Sequence, residues 1–226
     1  MARRERGSAR PSGDERQDAI LATAESLLAH RSLGDISIED LARGAGISRP
    51  SFYSYFSSKQ EVVIALLTRV IDEVEQALST LPAEPASAAG DPWRSSISVF
   101  VDVFTKHEAV AATAMAARLH SPEIQALWAA AMESWVDYSA RAITSERKRG
   151  AAPDGIPARD LAVALNLMNE RVLSASSAGE QPAISPSSVV DVLASIWTLS
   201  IYGAPPEATT STAELPRAYS TAVIDN

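Results

Sequence analysis

Six side chains within twelve positions are of the types that bind phosphate and base edges: Ser48, Arg49, Ser51, Tyr53, Tyr55 and Lys59. A guanidinium at the start of a short helix can read base edges, while hydroxyl groups hydrogen-bond to phosphate oxygens. An ammonium at a helix start can share a phosphate with the backbone N–H groups there. From Gly44 to Gln60 there is no acidic residue, although acids outnumber bases 28 to 20 in the whole chain. Residues of reactive type are sparse by comparison. The absence of cysteine excludes disulfides, thiol nucleophiles and thiolate metal sites. The histidines (His30, His107 and His120) are too widely spaced to suggest zinc. No Gly-x-Ser-x-Gly elbow, phosphate loop, dinucleotide fingerprint or His-Glu-x-x-His run is present. Adjacent acids such as Glu39-Asp40 and Asp72-Glu73 diverge on a helix and form no dyad. The expectation is a binding protein, with no enzymatic activity, metal or cofactor.

The 226 residues, 46% hydrophobic and 21% charged, are ordinary globular usage and enough for one large domain or two small ones. A net charge of −8 argues, on its face, against a nucleic-acid partner. The distribution reverses that argument. Residues 1–65 hold nine bases and nine acids, leaving eleven and nineteen for the remainder, so the whole deficit lies beyond residue 65. Residues 1–14 carry Arg3, Arg4, Arg6 and Arg10 among Gly, Pro and Ser, and read as a disordered basic arm. Residues 203–226 read as a disordered tail. There is no apolar signal core and no run long enough for a membrane span, so the expectation is a cytoplasmic protein without a membrane partner.

The elements that must position these side chains are all helical. Ile20, Leu21, Ala24, Leu27 and Leu28 fall at helical spacing over 15–30. Ser37 precedes Ile38-Glu-Asp-Leu, a helix start with acids in its first turn. Ser58-Lys-Gln-Glu61 reads as a capping box opening a helix through Leu78. Asp91-Pro92, Ser121-Pro122 and Ser185-Pro186 each pair a capping side chain with proline, and Pro157 opens a further helix. Strand-like alternation is nowhere sustained. The fold class is all-α, with about nine helices: a helix-turn-helix unit over 15–62 and a larger helical unit over 63–202.

Within the first unit, a short helix over 37–44 reaches Gly46, and a second starts at Ser48. A glycine supplies the left-handed residue that a tight interhelical turn requires. Leu41, Ala45, Ile47 and Phe52 are spaced to hold the two helices together. Helix, short turn, helix is the arrangement that places a second helix in a DNA major groove. The competing reading is a plain helical hairpin with Phe52, Tyr53, Tyr55 and Phe56 in its core. Against it, the second helix is too short to add much to a bundle, and its polar face lacks carboxylates.

The run Gly46-Ile-Ser-Arg-Pro-Ser-Phe-Tyr-Ser-Tyr-Phe-Ser-Ser-Lys-Gln-Glu resembles the helix-turn-helix signature of TetR-family transcriptional repressors, with Tyr53, Phe56 and Lys59 in register. The resemblance implies phosphate contacts from Tyr53, Tyr55 and Lys59. It places Ser48, Arg49, Pro50 and Ser51 toward the groove and counts Ser37 with the DNA-binding set. Tyr55 stands where many members have His, and Gln60 where Glu is common. It also implies double-stranded operator DNA as partner, a palindromic site and a homodimer formed through the last two long helices.

Beyond residue 80, Trp93, Phe100 and Phe104 share one helix face, as do Trp128, Met132 and Trp135, with Tyr138 near that side; Trp197 lies in the last helix. Such stripes serve either an ordinary core or an aromatic cavity. Asn166 and Asn169 interrupt an apolar stripe, and a buried amide needs partners, whether from a neighbouring helix or from a ligand. Glu170 either pairs on the Arg171 side or lies at a cavity wall. Similarity to one repressor of the family runs through most of the chain, including Ala164-Leu-Asn-Leu-Met-Asn-Glu-Arg171. It implies a hydrophobic effector in a channel lined by all these residues and Leu173, with Ser174 replacing a Phe. The last helix, Val189–Ile201, is apolar nearly all round apart from Asp191, which calls for cover by a second subunit. A rival outcome is a helical small-molecule-binding protein whose helix-turn-helix no longer binds DNA.

Overall fold

The computed structural model describes residues 12–82 and 91–203; most of the expected arm and nearly all of the tail lie outside them. Among the described residues there are nine helices and no strand. They are α1 (Gly13–Leu28), α2 (Ile38–Gly44), α3 (Arg49–Phe52), α4 (Lys59–Ser79) and α5 (Pro92–Lys106). There follow α6 (Glu108–Arg118), α7 (Pro122–Lys148), α8 (Ala158–Ser177) and α9 (Val189–Tyr202). None is long and apolar enough to cross a membrane.

Side-chain caps set most of the starts. Ser12 and Ser37 each form a reciprocal capping box, with Glu15 and Asp40 respectively. The first helix therefore begins inside the segment read as an arm. Ser58 accepts from the Glu61 N–H, but the Glu61 carboxylate turns back to Ser57 instead of completing the expected box. Asp91 and Ser121 cap α5 and α7 ahead of a proline, as their pairing predicts. Ser185-Pro186 does not open a helix: the Ser188 N–H donates to the Ser185 carbonyl in a turn, and α9 starts at Val189.

The long helix α4 buries Val62, Val63, Leu66, Leu67, Val70, Ile71, Val74 and Leu78 along one side. This stripe belongs to a continuous core that begins with Ile20, Leu41 and Phe52 and ends with Trp128 and Trp135. A second core joins Trp93, Ile97, Leu165, Leu193 and Trp197. In that second core, α7 packs along α8 and α5 along α9.

The end of α9 is tied down through a buried carboxylate. Glu146 is fully buried and accepts from Arg149 Nε at 2.7 Å and from the Tyr202 hydroxyl at 2.7 Å. The Tyr202 oxygen in turn accepts from Trp93 Nε1 at 3.2 Å. The Arg149 bond, outweighing burial, holds the Glu146 carboxyl below its ordinary value. Burial first, then the Glu146 bond, pushes the Tyr202 phenol up to about 12. This chain of bonds joins α5, α7 and α9.

Two glycines fix the helix-turn-helix. Gly44 lies against α1, where a Cβ would overlap the Thr23 methyl. Gly46 adopts φ +67°, with open space around the missing side chain. Gly46→Ala should therefore lower stability by about 1 kcal/mol through backbone strain alone, and Gly46→Asn by less. Urea unfolding checks this: the midpoint should fall with the m-value unchanged.

Candidate DNA interface and ligand chamber

The left-handed Gly46 lets the Ile47 N–H reach the Ala42 carbonyl at 2.9 Å, closing α2 and reversing the chain. Ser48 then caps α3: the Ser51 N–H donates to its hydroxyl oxygen at 3.2 Å, and the two hydroxyls lie 2.8 Å apart. Beneath the turn, Leu41 and Phe52 are fully buried, with Ala45 and Ile47 packed against the same core. The regular helix spans only Arg49–Phe52, and Tyr53–Tyr55 follow as turns.

The surface so produced carries Ser48, Arg49, Pro50 and Tyr53 exposed, with Ser51 and Tyr55 half-buried. Phe52 meets Tyr53 edge-on at 5.7 Å, which steadies a ring that is 48% exposed. Tyr55 packs its ring on the core edge. Ser37 is exposed, but its hydroxyl and N–H both serve the capping box with Asp40, at 2.8 and 3.0 Å. The Ser37 bonds, ahead of Arg31, hold the Asp40 carboxyl at about 2.

Lys59 also has partners within the chain. Its ammonium donates to the Leu33 carbonyl at 2.7 Å, to Gly34 at 3.4 Å and to Ile36. Those carbonyls lie in the α1–α2 loop, where no helix or strand supplies donors, and a cation satisfies three at once. Lys59 thus pins that loop to the start of α4. Position in sequence could not reveal this, because the partners lie 23 to 26 residues away.

The second feature is a cavity of about 370 Å³ enclosed by α5, α6, α7 and α8. Nine of the expected residues line it: Phe100, Phe104, Trp128, Met132, Trp135, Asn166, Asn169, Glu170 and Leu173. Trp135 meets Phe100 at 5.0 Å and Trp128 at 5.7 Å, both near perpendicular. Trp93, Tyr138 and Trp197 instead border a separate void of about 20 Å³, where Trp93 lies against Trp197 at 5.2 Å. These three back the chamber wall more than they line it. Sequence reasoning missed Ala111, Ala112, Met115 and Ala116 of α6, which complete the chamber. The signal was there in Glu108–Arg118, since a run of alanines at a packed position leaves space. Ser174 and Ser177 also line it.

The chamber's polar groups are few and mostly assigned. The Asn166 NH2 donates to Ser139 Oγ at 3.2 Å and to the Ala162 carbonyl at 2.9 Å. The Asn169 carbonyl accepts from Trp197 Nε1 at 3.0 Å. An indole N–H only donates, so the amide oxygen must face Trp197, and its NH2 has no acceptor among the described residues. Trp135 Nε1 is likewise buried without an acceptor there. Glu170 accepts from Arg118 at 2.7 Å and from Trp128 Nε1 at 3.2 Å, making it a wall residue. Arg171 turns away to Glu180.

Comparison with known proteins identifies both parts of the chain. Residues 20–66 match the family model "Bacterial regulatory proteins, tetR family", and residues 93–203 match "Transcriptional regulator EthR, C-terminal domain". The chain is 53% identical over 201 residues to the HTH-type transcriptional regulator EthR of Mycobacterium tuberculosis, covering 88% of this chain and 93% of that one. It is 47% identical over 210 residues to EthR of Mycolicibacterium smegmatis, covering 91% and 95%. Its fold is similar to a putative TetR-family regulator from Rhodococcus sp., with TM-score 0.65, 19% identity and 83% and 99% of the chains covered. A putative regulator from Saccharomonospora viridis, in complex with choline, gives TM-score 0.66 at 21% identity over 83% and 96%. The chain belongs to the TetR family of bacterial transcriptional regulators and, by most of its length, is similar to EthR.

Proposed function

We propose that this chain is a homodimeric repressor that grips a palindromic operator through α3 of each subunit and releases it when a small hydrophobic molecule fills the chamber. The observation that carries the reading is the double role of α6. Ala111, Ala112, Met115 and Ala116 form one chamber wall, and the same helix packs on both α1 and α4. A ligand that occupies the chamber bears on α6 directly. Close-packed helices respond by small rigid shifts, so α1 and the recognition helix move with it. Release then requires only that the ligand bind the DNA-incompetent arrangement more tightly than the other.

Arg49 reads base edges at the start of α3, beside Ser48, Pro50 and Ser51. Tyr53, Tyr55 and Ser37 contact phosphates, and Lys59 holds the loop that orients α2. The exposed apolar residues Leu167 of α8 and Ile196 and Leu199 of α9 supply the dimer face. The choline in the Saccharomonospora viridis relative is consistent with a small-molecule site in this architecture. Here the free Asn169 amide donor suits an apolar molecule that bears a hydrogen-bond acceptor. The rival reading, a binding protein with an inert helix-turn-helix, is opposed by an exposed Arg49–Tyr53 run that carries no carboxylate of its own.

Arg49→Ala should weaken binding to DNA from directly upstream of this chain's own gene by about ten- to a hundredfold, with Tyr53→Phe milder. Gel shift against unchanged circular dichroism checks it, and intact affinity in both variants would favour the rival reading. Asn169→Leu should keep that DNA affinity but lose most of the tryptophan-fluorescence response to a medium-chain methyl ketone; an undiminished response would remove the anchor role. Leu199→Glu should raise the dimer dissociation constant by about 30-fold or more, from about 1–2 kcal/mol lost on each symmetry-related side. Sedimentation at several protein concentrations measures it.

A further inference from the structure

His107 ends α5 and immediately precedes α6, and its ring lies where four helices meet. The side chain is 16% exposed, between carboxylates from two different helices. Nδ1 faces Glu25 Oε1 of α1, and Nε2 faces Glu73 Oε2 of α4 at 3.0 Å. Lys106 of α5 donates to the other Glu73 oxygen at 2.7 Å. Glu108, the first residue of α6, is exposed alongside. Charged groups thus reach this joint from every element packed there: Glu25, Glu73, Lys106 and Glu108.

A carboxylate accepts and does not donate. Both ring nitrogens must therefore donate for both contacts to hold, which the imidazolium does and neither neutral tautomer does. Lys106 first, and His107 after it, keep the Glu73 carboxyl below its ordinary value, so that side of the pair remains anionic. Loss of the ring proton to solvent would leave one nitrogen lone pair facing a carboxylate, with a hydrogen bond replaced by repulsion.

The location gives this contact its consequence. Helix α1 carries Ile20, Leu21 and Ala24 into the core beneath the helix-turn-helix. Helix α6 contributes Ala111 and Ala112 to the chamber, one turn beyond His107. We infer that the protonated His107 is a positioning residue that clamps α1 onto α4 and the α5–α6 joint, so that the seating of the DNA-binding helices depends on pH. At acid pH the clamp closes and α1 follows the ligand-binding helices. At alkaline pH the ring keeps only one of its two carboxylates, so the bridge through it from α1 to α4 is lost, leaving those helices to apolar packing and the exposed Arg69–Asp18 pair. This depends on the joint itself and holds whatever occupies the chamber or the recognition helix.

The absence of cysteine permits a direct test. Ser54→Cys beside α3 and Ala129→Cys on α7 are both at exposed positions. Each chain would carry two nitroxides and be diluted with unlabelled chain. Electron–electron distance distributions would then be compared at about pH 5.5 and about pH 9. The chain with His107 should give a distribution that broadens about twofold or more at the higher pH. His107→Ala and, separately, Glu25→Ala should be broad at both, since an amide at either position could still hydrogen-bond across the joint. Glu25→Ala leaves the α5–α6 joint intact and serves should His107→Ala fail to fold. Nitrogen-15 spectra at the lower pH should show both His107 ring nitrogens protonated. A distribution unchanged between the two pH values, a variant that broadens as the parent does, or a neutral His107 ring at the lower pH would overturn the inference. Loss of operator or ketone binding would not bear on it.

Discussion

The apolar stripe of α4 is the constraint on which the rest of the structure depends. Val62, Val63, Leu66 and Leu67 close the core under the helix-turn-helix, and Val70, Ile71, Val74 and Leu78 continue the same stripe into the larger helical unit. Because one core runs through both, the two units share packing with no hinge of loosely packed residues between them. Protein interiors are packed as densely as organic crystals, so such a core passes displacement along and does not absorb it. A chamber built against α6 is therefore mechanically close to α1, although the two sites are far apart in sequence. The compactness of α3 follows from the same constraint. Four residues suffice because Phe52 anchors them in a core that α4 supplies.

Electrostatics divides the labour differently. The excess of acid lies beyond residue 65, away from the recognition surface. Near that surface two carboxylates are engaged locally, while the exposed Glu39 acts on Arg49 itself. Asp40 is spent on Ser37, Arg31 and Arg43, and Glu61 on Ser57. Each thereby stabilises a helix start. Asp40, held at about 2, keeps this role down to strongly acid conditions: a depressed carboxyl contributes above its unfolded value and loses that contribution as pH falls through the folded one.

How much of this was legible in the sequence depends on the range of the interaction. Caps and turns act over three or four residues, so Ser37, Gly46, Ser48, Asp91 and Ser121 could be read from spacing. The aromatic stripes were legible because helical periodicity is local too. Which stripe lined a chamber and which backed its wall was not. Trp93 and Trp197 look like Trp128 and Trp135 in sequence, and only tertiary packing turns the first pair toward each other. The alanines of α6 were passed over because empty space is a property of what stands opposite. The carbonyl contacts of Lys59 were illegible for a related reason: a cation selects the densest group of unsatisfied acceptors within reach, and the loop carrying Leu33, Gly34 and Ile36 offered one that no linear pattern marks. Ser185 failed as a helix start because the Ser185–Ser188 turn took up the caps first.

The polar groups of the chamber follow a rule that connects its chemistry to its function. Asn166 uses both its N–H groups on the protein, and Glu170 is neutralised by Arg118. Asn169 has its carbonyl occupied by Trp197, leaving its NH2 without a protein acceptor among the described residues. The Trp135 N–H is sealed off from the cavity and offers an occupant nothing. An occupant that supplies an acceptor satisfies the Asn169 donor in place of water, whereas a purely apolar occupant of the same shape leaves it bare. In the repressor proposed above, selectivity would rest on that one donor set in about 370 Å³ of largely apolar wall, while the free energy to move α6 would come from the aromatic surface that the same occupant covers.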